Sequence, residues 1–165
     1  MIKMFCPSEM ATSAYEIEYE QLFRKGFRGI ILDIDNTLVP HGKNATDEAV
    51  DLINKMKKIG FSLCIISNND EERVLGFNNN IDLPYVFKAL KPSKKGYIRA
   101  KEILGCSTEK IICIGDQIFT DIAGANRAGM YSILVKPIDS KEPPFVRFKR
   151  LLEKPVLLYL KNKNK

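Results

Sequence analysis

Two aspartates, Asp33 and Asp35, stand two residues apart directly after the apolar run Gly29–Leu32. In extended backbone, residues i and i+2 point the same way. Two carboxylates held that close repel, so one carries a proton or a cation lies between them. Asp116 and Asp121 follow a second apolar run, Lys110–Ile114, while Ser67 and Lys91 follow two more. A hard divalent cation is the economical partner for such a cluster. Mg²⁺ takes one or two carboxylates together with waters and substrate phosphate oxygens, and a cation there neutralises an incoming phosphate. A carboxylate can then attack phosphorus and form an aspartyl-phosphate, which splits hydrolysis into two steps. A second carboxylate can protonate the leaving oxygen and later deprotonate the attacking water. Lys91 and Ser67 suit the remaining phosphoryl oxygens, as a point charge and a hydrogen-bond donor. Thr37 and Asn68, beside these groups in the chain, are expected to contact substrate.

The elements that must position these residues follow from apolar periodicity. Gly29–Leu32, Phe61–Ile66, Tyr85–Phe87, Lys110–Ile114 and Tyr131–Val135 read as strands. Between them, Thr46–Ile59, Asp70–Phe77, Ser93–Leu104 and Thr120–Ala128 read as helices, with Thr46 and Ser93 as caps and Gly60, Gly105 and Gly129 as stops. Alternation at this pitch predicts an α/β fold with a mostly parallel central sheet covered on both faces. In such sheets ligands bind beyond the carboxyl ends of the strands. Asp33-Ile34-Asp35-Asn36-Thr37, Ser67-Asn68-Asn69, Lys91 and Gly115-Asp116 with Asp121 all fall there, so four segments converge on one rim. Only one helix and part of a strand fit between Thr37 and Ser67, and again between Ser67 and Lys91. No room is left for an inserted cap domain, so an open site facing a large substrate is expected, unless another subunit supplies the cover. Gly124 is expected to pack, and Asn126 to make structural hydrogen bonds.

The segment ILDIDNTLVP resembles the DxDxT signature of the haloacid-dehalogenase-like (HAD) phosphatases. Ser67, Lys91 and the stretch GDQIFTD resemble that family's second, third and fourth motifs, in order across residues 33–121. The combination DIDNTLV, ISNN, ALKP and GDQIFTDIAGANRAGM is similar to the YqeG-type branch of subfamily IIIA, related to phosphatidylglycerophosphate phosphatases of mitochondria and chloroplasts. The resemblance implies a Rossmann-like three-layer sandwich without a cap, Mg²⁺, Asp33 as nucleophile and Asp35 as general acid/base. It implies metal ligation by the Asp33 carboxylate, the Asp35 carbonyl and Asp116, with Asp121 in or near the metal shell. It makes phosphatidylglycerophosphate the leading substrate. Asp35 argues against carbon–halogen chemistry, since dehalogenases of the superfamily lack a second acid there.

The rest of the chain sets context. Its 165 residues, 45% hydrophobic and 28% charged, are one domain's worth of foldable sequence. The net charge is +6, and from Lys136 onward nine basic residues face three acidic ones, so residues 1–135 balance and the last 30 carry the whole excess. Taken as a helix, this tail puts Phe145, Phe148, Leu151 and Leu152 on one side and Arg147, Arg150 and Lys154 on another, before Pro155 interrupts. The apolar stripe is expected to dock on the sheet, leaving the basic face for an anionic membrane surface or nucleic acid, with Lys161–Lys165 frayed. The tail's charge lies outside every catalytic motif. A competing class is an RNA- or protein-binding module that uses this tail, although no aromatic-rich nucleic-acid motif and no Trp support it. The four cysteines lack C-x-x-C spacing and read as free thiols, with Cys64 and Cys113 buried. The single histidine, His41, excludes a multi-His metal site and reads as a surface loop residue. No run approaches the ~20 apolar residues of a membrane span, and the N-terminus lacks a signal-type apolar segment. A cytoplasmic protein, peripheral on the inner face of the membrane, is expected.

Overall fold

The apolar runs do form strands, and all of them pair in parallel. The computed structural model describes residues 2–163. In chain order the strands are β1 (Glu9–Ala11), β2 (Gly29–Leu32), β3 (Ser62–Ile66), β4 (Tyr85–Val86), β5 (Ile111–Gly115) and β6 (Tyr131–Val135). They form one sheet in the order β1-β6-β5-β2-β3-β4. Helices α1 (Tyr19–Arg24), α2 (Asp47–Ile59), α3 (Glu71–Asn78), α4 (Lys94–Leu104), α5 (Ala123–Arg127) and α6 (Pro144–Lys163) accompany them. This is the α/β, Rossmann-like architecture that the alternation predicts.

Each central strand feeds both faces of the sheet, because side chains alternate along extended backbone. Ile30, Leu32, Ile65, Ile112 and Ile114 pack with α2 and the N-terminal segment on one side. Ile31, Cys64, Ile66 and Cys113 pack with Tyr97 and Ala100 of α4 on the other. Burial pushes the Cys64 thiol up to about 12, so it stays protonated and behaves as core. Register places the strand ends level: Leu32 lies opposite both Ile65 and Ile114. The residues that follow therefore emerge along one edge.

Local signals act as expected at the helix ends. Thr46 accepts from the Ala49 N–H at 3.2 Å to cap α2, and Gly60 closes that helix at φ 115°, where a side chain would be strained. Asp70 proves to be the N-cap of α3 rather than its first residue. Asn126 donates to the Met4 and Cys6 carbonyls, both at 2.9 Å, a structural tie to the N-terminal segment.

Three features depart from the sequence reading. Strand β1 was not among the expected elements. Glu-Met-Ala has little strand character, and the segment is a strand only because β6 offers an edge, with Met10 opposite Leu134. The helix expected over Thr120–Ala128 begins earlier, with a π-helical turn at Ile118–Ile122, and becomes α-helical at Ala123. And α6 continues through Pro155 to Lys163, its proline lacking only the N–H that would reach the Leu151 carbonyl. Of the segment expected to fray, the helix covers Lys161–Lys163, while Asn164 and Lys165 lie outside the described residues.

Gly124 is a packing glycine, as expected. A Cβ there would lie 2.3 Å from the Tyr97 ring. Tyr97 is buried and its hydroxyl donates to the Asp121 carbonyl at 3.1 Å. Gly124→Ala is expected to destabilise the protein by about 1–3 kcal/mol through overpacking, read as a lower Tm in thermal unfolding. An unchanged Tm would show that the ring moves aside freely.

Candidate active site

The level strand ends deliver the carboxylates. Asp33 follows β2 and its N–H donates to the Ile114 carbonyl at 3.1 Å, which fixes it beside β5. Asp116 follows β5. Asp121 sits in the π-helical turn, folded back so closely that a Cβ on Gly115 would lie 2.4 Å from its own. Glycine is required at 115 for that approach. One oxygen from each of Asp33, Asp116 and Asp121 lies within 4.8 Å of the other two, and all three residues are buried.

Lys91 joins the cluster from the loop after β4. Its Nζ donates to Asp33 Oδ1 at 2.6 Å and to Asp121 Oδ1 at 2.7 Å. Burial works against that charge, but Asp121 and Asp33 outweigh it and hold the ammonium above the usual lysine range. The Thr37 hydroxyl lies 3.3 Å from both Asp33 Oδ2 and Asp116 Oδ1. Ser67 is buried, and its Oγ accepts from the Asn69 N–H at 3.1 Å. Asn68 turns its amide to the Lys91 backbone: Oδ1 accepts from the Lys91 N–H at 2.7 Å, and Nδ2 donates to the Lys91 carbonyl at 3.1 Å. In this arrangement it positions Lys91. These groups converge on a cavity of about 200 Å³ whose lining includes Asp33, Asp35, Ser67, Asn68 and Lys91, with the exposed His41 at its mouth.

Asp35 turns away from Asp33 and takes its own partners. Asn69 Nδ2 donates to it at 2.6 Å, Arg73 at 2.7 Å and the Gly42 N–H at 2.8 Å. Burial alone would raise its pKa, yet the Arg73 and Gly42 bonds hold it below the ordinary value. The two carboxylates of the first motif therefore have different characters. Asp33 is pushed up to about 7, by burial first and by the Asp121 charge, against the pull of Lys91. Asp116 is raised well above the carboxylate range by burial, Asp33 and Asp121, against Arg150.

Arg150 corrects the expectation that the tail's charge lies outside the motifs. Its guanidinium pairs with the Asp116 carboxylate, donates to the Asp116 carbonyl at 2.6 Å, and reaches Glu142 Oε1 at 2.7 Å and Glu153 Oε2 at 3.3 Å. Glu153 is buried and accepts from the Ile118 N–H at 2.7 Å, which anchors the start of the π-helical turn. Sequence reasoning missed Arg150, Glu153 and Arg73. The only available signal for the first two was their i, i+3 spacing on one helix, which names no partner. A larger cavity of about 510 Å³, walled by residues such as Met10, Leu134 and Leu157, lies beyond the Arg150–Asp116 pair. Its walls lack the Asp33, Ser67 and Lys91 chemistry of the smaller one.

The donor set can be tested for a metal by charge. Around Lys91 and Arg150, two cations face five carboxylates: Asp33, Asp116, Asp121, Glu142 and Glu153. The excess is negative, buried and all oxygen, and that combination fits a hard divalent cation.

Comparison with known proteins agrees with this geometry. A family model described as HAD-hydrolase-like matches residues 89–138. The chain is 38% identical over 162 residues to the Probable phosphatase YqeG of Bacillus subtilis, covering 98% of this chain and 94% of that one. It is 30% identical over 140 residues to phosphatidylglycerophosphate phosphatase 1, chloroplastic/mitochondrial, of Arabidopsis thaliana, covering 79% of this chain and 40% of that longer one. Among solved structures, the Bacillus subtilis HAD-hydrolase YfnB, crystallised with magnesium, superposes with a TM-score of 0.54 at 16% identity, over 79% of this chain and 98% of that chain. That likeness concerns the fold alone. The chain belongs to the HAD family of phosphatases. Within that family its near full-length likeness is to YqeG.

Proposed function

We propose that this phosphatase cleaves phosphomonoesters in two steps through a phosphoryl-Asp33 intermediate, with Mg²⁺ as cofactor. The observation that carries the reading is the set of three buried carboxylates, Asp33, Asp116 and Asp121, with oxygens within 4.8 Å of one another. Asp33, Asp116, the Asp35 carbonyl and Asp121 would hold the ion. When bound, it supplies positive charge to the carboxylates and to the phosphate oxygens. Lys91 orients Asp33 and adds charge on the phosphoryl side, and Ser67 offers a hydroxyl to another phosphoryl oxygen. In the first step an Asp33 oxygen bonds to phosphorus as the ester P–O bond breaks, and Asp35 gives its proton to the leaving oxygen. In the second, water attacks phosphorus, Asp35 takes its proton, and the P–O bond to Asp33 breaks to free phosphate. Asp35 begins as an anion paired with Arg73, a state ready for the second step. Donating in the first requires it to pick up a proton as that pair opens.

The test is direct. Purified protein is expected to hydrolyse an aryl phosphate with Mg²⁺, to lose that activity on chelation and to regain it when Mg²⁺ is restored. Full activity in excess chelator would overturn the cofactor assignment.

The substrate class we favour is a phosphomonoester on a membrane lipid, with phosphatidylglycerophosphate foremost. The Arabidopsis relative carries that activity in its name, and only α2 and α3 lie between the first three motif segments, so no inserted domain encloses the site. Turnover of phosphatidylglycerophosphate in mixed micelles is expected to exceed turnover of sugar phosphates and nucleotides by about tenfold or more, the scale set by a few added binding contacts. A flat profile across these substrates would remove the lipid reading and leave the phosphatase. The relatives and the fold favour the enzyme over an RNA- or protein-binding module.

A further inference from the structure

Helix α6 sits with the opposite orientation to the one its hydrophobic pattern predicts. Its inner side carries Arg150, Glu153, Val156 and Leu160: the first two bind the fourth-motif loop, Val156 packs on Ile118 and Ile122, and Leu160 is buried. The apolar stripe faces solvent. Phe145 is 67% exposed, Phe148 59%, Leu152 51% and Leu158 62%. Leu151 and Tyr159 continue the same band, which lies opposite the docked side by helical geometry. A row of large apolar side chains along one helix is more than the scattered exposure of an ordinary surface.

Charge narrows what covers it. The exposed Arg147 and Lys154 flank the stripe, and Lys149 lies on its other side. The acids Glu142 and Glu153 are turned inward, both paired with Arg150. A second copy of α6 laid on this face would set basic flank against basic flank. An anionic surface meets no such repulsion. The first turns of α6 also border the carboxylate cavity, through Phe145, Val146 and Lys149. Whatever the stripe rests on is therefore brought to the mouth of the site.

We propose that the outer face of α6 docks in the plane of an anionic lipid bilayer, apolar stripe in the acyl boundary and basic flanks on the headgroups. The purpose of this docking rests on the lipid-substrate reading above; the binding itself does not. No helix among the described residues is long and apolar enough to cross a membrane, so the contact is interfacial.

The experiment uses the full chain with vesicles of phosphatidylglycerol mixed into phosphatidylcholine, and with phosphatidylcholine alone. The protein is expected to co-sediment with the first and remain in solution with the second, and high salt is expected to weaken the binding. The double variant Phe148→Ser/Leu152→Ser, both side chains outside the site, is expected to lose about tenfold or more in vesicle partitioning. Its aryl phosphate turnover is expected to match that of the unaltered chain. Failure of the unaltered chain to bind anionic vesicles would overturn the proposal, as would a variant that binds equally well. Light scattering that shows a dimer dissolved by the same substitutions would assign the face to a second copy instead. The two readings fail separately. Vesicle binding without hydrolysis of phosphatidylglycerophosphate would sink the substrate and keep the docking, whereas hydrolysis of a short-chain analogue without vesicle binding would do the reverse.

Discussion

Asp33→Asn is expected to lower Mg²⁺-dependent aryl phosphate turnover by about 10³-fold or more, the scale of losing a covalent nucleophile. That factor corresponds to about 4 kcal/mol of transition-state stabilisation. The substitution is nearly isosteric and removes a charge from a buried position, so the fold is expected to persist. Lys91 keeps its 2.7 Å partner in Asp121, and the amide oxygen introduced by the substitution can still accept from it. Activity and stability therefore separate: turnover collapses while Tm stays close to that of the unaltered chain. Steady-state kinetics beside thermal unfolding reads both. Residual turnover within about tenfold would sink Asp33 as nucleophile, because a two-step reaction cannot proceed without the bond to that oxygen.

The second large effect concerns stability. Arg150→Met is expected to cost about 3 kcal/mol, because it strands the Asp116, Glu142 and Glu153 carboxylates that the guanidinium serves together. For a chain of this length that is a Tm fall of roughly 6–12 °C. Helix α6 is held to the body chiefly through this residue and Glu153, so limited trypsin digestion is expected to cut the tail early in the variant. Arg150→Lys is expected to recover only part of the loss: one ammonium cannot serve the Asp116 carboxylate, the Asp116 carbonyl and two glutamates as a planar fork does. A Tm within about 1 °C of the unaltered protein, with α6 equally resistant, would show that the network contributes little and that the apolar contacts of Val156 and Leu160 hold the helix.

The frame of the protein was legible because its signals are local. Strands such as Ile111–Gly115 are fully buried apolar runs, and helix limits such as Thr46 and Gly60 carry their own hydrogen-bond and dihedral logic. Most of the candidate site was legible for a related reason. In a parallel sheet the polar residues after each apolar run emerge at one edge, so strand ends alone bring Asp33, Ser67, Lys91 and Asp116 together. The partners of Asp35 were not legible. Arg73 lies 38 residues away on a helix whose rotation about its axis is set by core packing, and a surface arginine on α3 looks like any other.

The sequence by itself determined the alternation of strand and helix, the parallel sheet, and the order in which four polar segments meet at its edge. Those follow from spacing along the chain and from the geometry of extended backbone. Only the tertiary structure decided which way α6 faces. An amphipathic pattern states that two sides of a helix differ and leaves open which one turns inward. Here the buried, excess-negative carboxylates around Asp116 needed a cation, and Arg150 supplies it from 34 residues away. That pairing, with Glu153 anchoring the π-helical turn, turns the charged side of α6 inward and leaves Phe148, Leu152 and Leu158 in solvent.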